Sequence, residues 1–356
     1  YDASIKGAHT LATESSQLAG VNFQILKVNG TAGSKPTVTF TVKDNAGNPV
    51  PMSELKVTPA RLALVLAGPT SNPGYTNFGA DVTTGGYVSE DATNATCGQD
   101  GTCTFTFTHA IPADAKGTFS VGMEGRRAQT LNPGIPNKQI NNVSYGGKNV
   151  VVNFSVDGSP LVARRTVVAF DQCNACHVNL QTHGRNRNQV EMCVLCHNPS
   201  ETDAVPRAAS TDPTIKNGLA QGVNFTLLIH RIHTGEVQAT ENGRPFSVNT
   251  NTFDNVVFPT FHNDASVGAV NKCYMCHVND SQENLPLGLN NVKDPKGIIP
   301  SSPPITAACM GCHNTLSTAS HATANTTQFG ESCTVCHSAT SEFAPNKVHT
   351  TCAGCP

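Results

Sequence analysis

The sequence has no tryptophan, and aromatic residues make up only 6% of its 356 positions. Charged residues are also scarce, at 13%, and the formal net charge is −2. Nothing in that balance suggests a basic face for nucleic acid or an acidic tail. No apolar run approaches the roughly 18 residues that begin to suggest a membrane helix. The chain opens at Tyr1 with neither a charged n-region nor an apolar h-region, so any export signal is expected to have been removed from this form. There is no Gly-x-Ser-x-Gly nucleophile motif, and no Gly-x-Gly-x-x-Gly follows a strand to suggest a nicotinamide site. Apolar residues total 38%, a thin stock for the two domains this length suggests. Something other than side chains is expected to fill part of one core.

What is present is cysteine, and it is concentrated in the second half. Ten of the fourteen cysteines fall in five copies of Cys-x-x-Cys-His: Cys173/Cys176/His177, Cys193/Cys196/His197, Cys273/Cys276/His277, Cys309/Cys312/His313 and Cys333/Cys336/His337. At these Cys and His frequencies chance gives roughly 0.02 copies of this c-type haem attachment pattern. The spacing has a chemical reason. Two thiols three positions apart reach the two vinyl groups on one side of a porphyrin, and the following His lies under the iron as an axial ligand. Zinc knuckles also use Cys-x-x-Cys, but zinc does not require His after the second Cys in every copy. Attachment of this kind happens outside the bacterial cytoplasm, which points to the periplasm or the cell surface.

The chain divides by pattern. Residues 1–157 read as an all-β domain. Period-two runs cover Phe23 to Val28, Thr37 to Val42, Leu62 to Leu66, Cys103 to Thr108, Phe119 to Met123 and Val150 to Val156. Turn signals such as Asn45-Ala46-Gly47-Asn48-Pro49 and Gly68-Pro69 separate them, as in a sandwich or Greek-key barrel. Cys97 and Cys103 flank a turn-like loop and are expected to pair in an oxidising compartment; two buried free thiols are the alternative. After Asp157-Gly158-Ser159-Pro160 the pattern changes. Residues 158–356 hold all five motifs and read as mostly loop. One helix is expected over about Asn224 to Thr234, with Gly235 as its C-cap. A short helix is expected at the first motif, with Asp171 near its N-cap.

Five irons need five further ligands to be six-coordinate. Of thirteen histidines, five follow the motifs. His9 and His109 lie in or before the β region. That leaves His183, His230, His233, His262, His321 and His349 as candidates. His230 and His233 stand at i and i+3 on one helical face, so they suit two adjacent irons.

The run Cys173-Asn-Ala-Cys-His-Val-Asn-Leu-Gln-Thr-His-Gly-Arg-Asn-Arg, followed by Cys193-Val-Leu-Cys-His-Asn-Pro, resembles the OmcA/MtrC family of decahaem outer-surface cytochromes. So do Ile229-His-Arg-Ile-His-Thr-Gly-Glu236, the Val167-Val-Ala-Phe-Asp-Gln-Cys lead-in and Lys347-Val-His-Thr. The resemblance implies a split β-barrel of Greek-key type followed by a pentahaem domain. It implies bis-His ligation, with His177, His197, His277, His313 and His337 opposed by His183, His230, His233, His321 and His349. It offers His262 no ligand role. Family members carry two such modules, and this chain carries one, most like their C-terminal half. Cys352-Ala-Gly-Cys-Pro356 has Pro where His would follow, so no sixth haem is expected there.

These readings make the chain an exported protein that passes electrons among five c-type haems. The resemblance adds iron or manganese minerals, chelated metals or transient flavin as acceptors. It also adds other multihaem cytochromes or a porin conduit as partners. Two alternatives stand beside it. One is a subunit of a self-associating extracellular cytochrome filament. The other is a multihaem reductase with one open haem.

Overall fold

The computed structural model describes residues 10–70, 87–256, 273–285 and 291–350. The chain forms two compact units. The first takes residues up to Pro69, Tyr87–Ala163 and His177–Leu195; the second takes Arg164–Cys176 and the chain from Cys196 on.

The first unit is built on two antiparallel sheets. One has strands β1 (Asn22–Asn29), β2 (Thr37–Lys43), β5 (Thr96–Cys97) and β6 (Thr102–Thr106), in the order β1-β2-β6-β5. The other has β3 (Arg61–Ala67), β4 (Val88–Asp91), β7 (Thr118–Leu131) and β8 (Ile140–Gly146), in the order β4-β3-β7-β8, with β9 (Val150–Ser155) also on β7. Alternation places the core. Val38, Phe40 and Val42 are each at most 1% exposed, and they face Val28, Ile25 and Phe23 across the β1–β2 ladder. β3 is buried on both faces, from Leu62 to Ala67, and lies inside the sheet, paired with β4 and β7. β7 is long enough to pair β9 along its first half and β8 along its second.

Each period-two run read from the sequence falls on a strand, though two overrun its end, since β6 stops at Thr106 and β9 at Ser155; β4, β5 and β8 were not legible. β8 opens with exposed Ile140, Asn141 and Asn142 and buries only Val143 and Tyr145, with Ser144 between them, so it lacks a long apolar alternation. The Asn45-to-Pro49 turn closes as expected: the Asp44 carboxylate accepts from the Ala46 and Asn48 backbone N–H groups, and Gly47 takes φ +87°, which glycine adopts without a Cβ penalty. Cys97 and Cys103 are opposite residues of the β5–β6 ladder and form a disulfide.

The second unit is a run of short helices. Besides those at the motifs, it has Ala204–Ala208, Pro213–Asn217, Phe225–His233, Gly235–Thr240, Leu316–Ala324 and Pro345–Thr350. It is thus more helical than the expected loop. The helix expected at about 224–234 is present, but its C-cap is Thr234, and Gly235 starts the next helix. The Thr234 hydroxyl donates to the His230 carbonyl, which satisfies one group of that last turn. Leu227, Val292 and Ala307 form its apolar centre.

Candidate functional site

Each motif sits on a turn of helix. The first lies on Phe170–His177, with Asp171 in the first turn rather than at the cap. The second lies on Val190–Cys196. The third starts the turn Cys273–Met275, the fourth begins at the last residue of Pro304–Cys309, and the fifth runs into Thr334–His337. In these last three, the His backbone N–H donates to the carbonyl of the first Cys, at 2.9, 2.9 and 2.8 Å for His277, His313 and His337. That closes one helical turn. Residues at i, i+3 and i+4 of a helix share a face, so both thiols and the imidazole project to the same side. None of the ten motif cysteines is in a disulfide.

Three motif histidines face a second histidine. The His277 and His230 rings have centroids 6.3 Å apart with planes at 20°. His313 and His349 are 5.9 Å apart, and His337 and His321 are 6.3 Å apart. A metal bound to an imidazole nitrogen lies about 2 Å from it, and each ring adds about 1 Å from nitrogen to centroid. Two imidazoles on opposite sides of one metal therefore have centroids about 6 Å apart. All three pairs meet that spacing, so these residues fit a bis-His haem iron. Among the described residues, no three His, Cys, Asp or Glu side chains converge as a metal cage.

The second ring nitrogen is held in five cases. Nδ1 lies 2.8 Å from the Val223 carbonyl for His197, 2.9 Å from Ile229 for His233, 2.9 Å from Phe343 for His337 and 2.7 Å from Pro345 for His349. His277 Nδ1 is 3.0 Å from the Ser281 hydroxyl. A carbonyl can only accept, so in the first four rings Nδ1 carries the proton and Nε2 presents its lone pair, the form a metal needs. Burial also favours neutral rings. It pushes His230 down to about 4, helped by the neighbouring His277 and His233. It lowers His277 with help from Arg165, and His313 with help from His349.

The other candidates are placed as follows. His177 ends the first motif helix. His183 lies in a loop with φ +51°. His233 shares the helix of His230, three residues on. His109 is paired with Glu90 at 2.6 Å and belongs to the β structure. His9, His262, Cys352 and Cys355 lie outside the described residues.

The motifs also have an order in space. Val168, ahead of the first motif, bridges His277 of the third. His230, which faces His277, lies against the fourth motif, where a Cβ on Gly311 would fall 2.8 Å from His230 Cβ. Glu331, just before the fifth motif, accepts from the Ile305 and Thr306 backbone N–H groups of the helix that leads into the fourth. The first motif therefore neighbours the third, the third the fourth, and the fourth the fifth.

Sequence reasoning missed what holds the helix bearing His230 and His233. Arg231, 4% exposed, pairs with buried Asp294 at 2.7 Å and lies 5.9 Å from the Phe246 ring centroid. Asp294 also accepts from Gln221 Nε2 and from the Gly222 backbone N–H. The signal available was an arginine inside an otherwise apolar helical stretch.

A family profile described as outer membrane cytochrome MtrC/MtrF-like, domains II/IV, matches residues 165–350, more than half of the chain. Among solved structures, MtrC from Shewanella baltica OS185 matches at 17% identity and a TM-score of 0.52, over 90% of this chain and 52% of that one. The outer membrane decahaem cytochrome OmcA matches at 18% identity and a TM-score of 0.53, over 94% of this chain and 49% of that one. At such identities the likeness is one of fold, and the chain spans about half the length of these structures. No curated protein matches. Together the five motifs and the profile match show that the chain belongs to the MtrC/MtrF-like family of outer membrane cytochromes.

Proposed function

We propose that this chain transfers electrons at the cell surface through five covalently attached c-type haems, each held between two imidazoles. The observation that carries the reading is the three histidine pairs at the spacing of two axial ligands. Cys173, Cys176, Cys193, Cys196, Cys273, Cys276, Cys309, Cys312, Cys333 and Cys336 would hold the haems as thioethers. His177, His197, His277, His313 and His337 would be the proximal ligands. His230, His349 and His321 would oppose the third, fourth and fifth of these, and His183 and His233 would serve the first two irons. When bound, the haems supply one-electron redox couples among which electrons pass.

The chain's own contribution is geometric. The Nδ1 partners keep the rings oriented. Two imidazoles per iron leave no position for a substrate, which favours outer-sphere transfer over inner-sphere reduction. The contacts between the motif segments support a route in the order first, third, fourth, fifth. The helix with His230 and His233 would join the third site to a neighbour. The non-sequential strand orders β1-β2-β6-β5 and β4-β3-β7-β8 support reading the first unit as a split Greek-key barrel. Metal oxides, chelated metals or flavin shuttles are the acceptors this family membership favours, and another multihaem cytochrome or a porin conduit is the donor it favours.

The test is His349→Met in the full chain. Met/His ligation raises a haem potential relative to bis-His, so the fourth site would become an electron sink. Haem content should stay at five while end-to-end transfer slows. Transfer at the native rate with the potential raised would remove the fourth site from the route.

A further inference from the structure

We infer that the β-sheet unit is the clamp that sets the iron ligand His183, acting through the buried residues Glu124, Asn149 and Arg187. The inference rests on the reading of His183 as an axial ligand and goes beyond it, because it assigns the sheet a role inside the haem chemistry.

His183 lies in a loop that the chain's local preferences would not choose. His183, Gly184 and Arg185 have φ of +51°, +69° and +73°. Two of these three are not glycine, and such backbone persists only where its surroundings over-determine it. The loop is closed at its base, where Thr182 and Arg187 exchange backbone hydrogen bonds of 2.9 and 3.3 Å. Asn186 Nδ2 donates to the His183 carbonyl at 2.9 Å.

Beyond these bonds of its own, the loop is tied to the sheet. Glu124 on β7 is completely buried. It accepts from Arg187 Nε at 2.5 Å and from Arg187 Nη2 at 3.2 Å, and it pairs with Arg61 of β3 at 3.1 Å. Asn149, in the β8–β9 connection, exchanges reciprocal bonds with Asn188: its N–H donates to Asn188 Oδ1 at 3.0 Å, and the Asn188 N–H donates to Asn149 Oδ1 at 2.8 Å. Asn149 Nδ2 donates to the Asn186 carbonyl at 2.7 Å. Arg126 of β7 donates to the Gly184 carbonyl at 2.7 Å. Gly146 lies so close that a Cβ there would fall 1.8 Å from the Arg185 carbonyl oxygen. A fully buried carboxylate shared between two guanidiniums is a costly way to attach a surface loop. It is reasonable where a single backbone conformation has to be fixed, and the residue so fixed is His183. Glu124, Asn149 and Arg187 are therefore positioning residues: they touch the loop and act through His183.

The experiment compares Arg187→Gln, Asn149→Ala, His183→Ala and a control, Glu54→Gln, in the full haem-loaded chain. Glu54 pairs with Arg127 in the same unit and does not touch the loop. The readouts are haem content by intact mass, the high-spin fraction of the oxidised spectrum, CO binding after reduction, and the effect of added imidazole. His183→Ala should open one iron of the five. Arg187→Gln and Asn149→Ala should each open a fraction of that same iron, with haem content unchanged, and imidazole should restore the low-spin spectrum. The control should remain low-spin. If His183→Ala opens an iron while both clamp variants stay low-spin and bind no CO, the clamp is overturned and the ligand reading stands. If His183→Ala itself stays low-spin, both fall. The two clamp variants break different bonds, so misfolding of one leaves the other decisive.

Discussion

Replacing His230 with alanine gives a sharp test of the paired-ring geometry. The ring faces His277 at 6.3 Å between centroids, and among the described residues it is the ring paired with His277. Its neighbour on the same helix cannot take its place. His233 is held by its Nδ1 contact to Ile229 at 2.9 Å, and the helix cannot slide because Arg231 is locked to Asp294 at 2.7 Å. Alanine is a strong helix former, so the helix should persist. One iron in five loses its sixth ligand. High-spin haem should therefore account for about a fifth of the oxidised spectrum, and CO should bind at about one per chain after reduction. Intact mass should still report five haems. His230→Met should keep the spectrum low-spin and raise one midpoint potential. A fully low-spin His230→Ala protein that binds no CO would refute the pairing of His230 with His277.

Other outcomes follow from the same structure. Replacing Cys97 and Cys103 with serine should lower stability by about 2 kcal/mol, the small-loop end of the disulfide range, read from denaturant midpoints; an unchanged midpoint would contradict it. Asp294→Asn leaves Arg231 buried without its anion and should cost on the order of 3–5 kcal/mol, whereas the double change Asp294→Leu with Arg231→Met should recover much of that loss. Burial raises the Glu201 carboxyl from 4.5 to about 8. The folded state then holds a proton that the unfolded state has released, so stability should fall as pH rises from about 4.5 through 8. Glu201→Gln should flatten that slope, and an unaltered slope would remove Glu201 as its source.

Much of this was legible in the sequence because it was local. Alternation placed Val38, Phe40 and Val42 on one buried face. The Cys-x-x-Cys-His spacing is itself one helical turn, so the shared projection of thiols and imidazole follows from five consecutive residues. The i, i+3 spacing of His230 and His233 was equally local. What could not be read depended on approach between distant segments. Which histidine opposes which is set by tertiary packing, as in His321 with His337 or His230 with His277. The Nδ1 partners are mostly backbone carbonyls, which carry no sequence signature. Strand β8 was missed because it has only two buried positions, preceded by asparagines that suit an edge. The attachment of Arg187 and Asn188 to Glu124 and Asn149 was missed because polar residues at 39 and 63 positions' separation look like solvent-facing loop until the sheet is assembled.

The central claim is that every iron in this chain lies between two histidines. Near-infrared magnetic circular dichroism of the oxidised full chain tests it most directly, because the position of the charge-transfer band reports the axial ligands and its intensity reports how many irons have them. The account requires a single bis-His low-spin band with the intensity of five haems per chain. A high-spin band, a His/Met band, or a bis-His intensity short of five would contradict it.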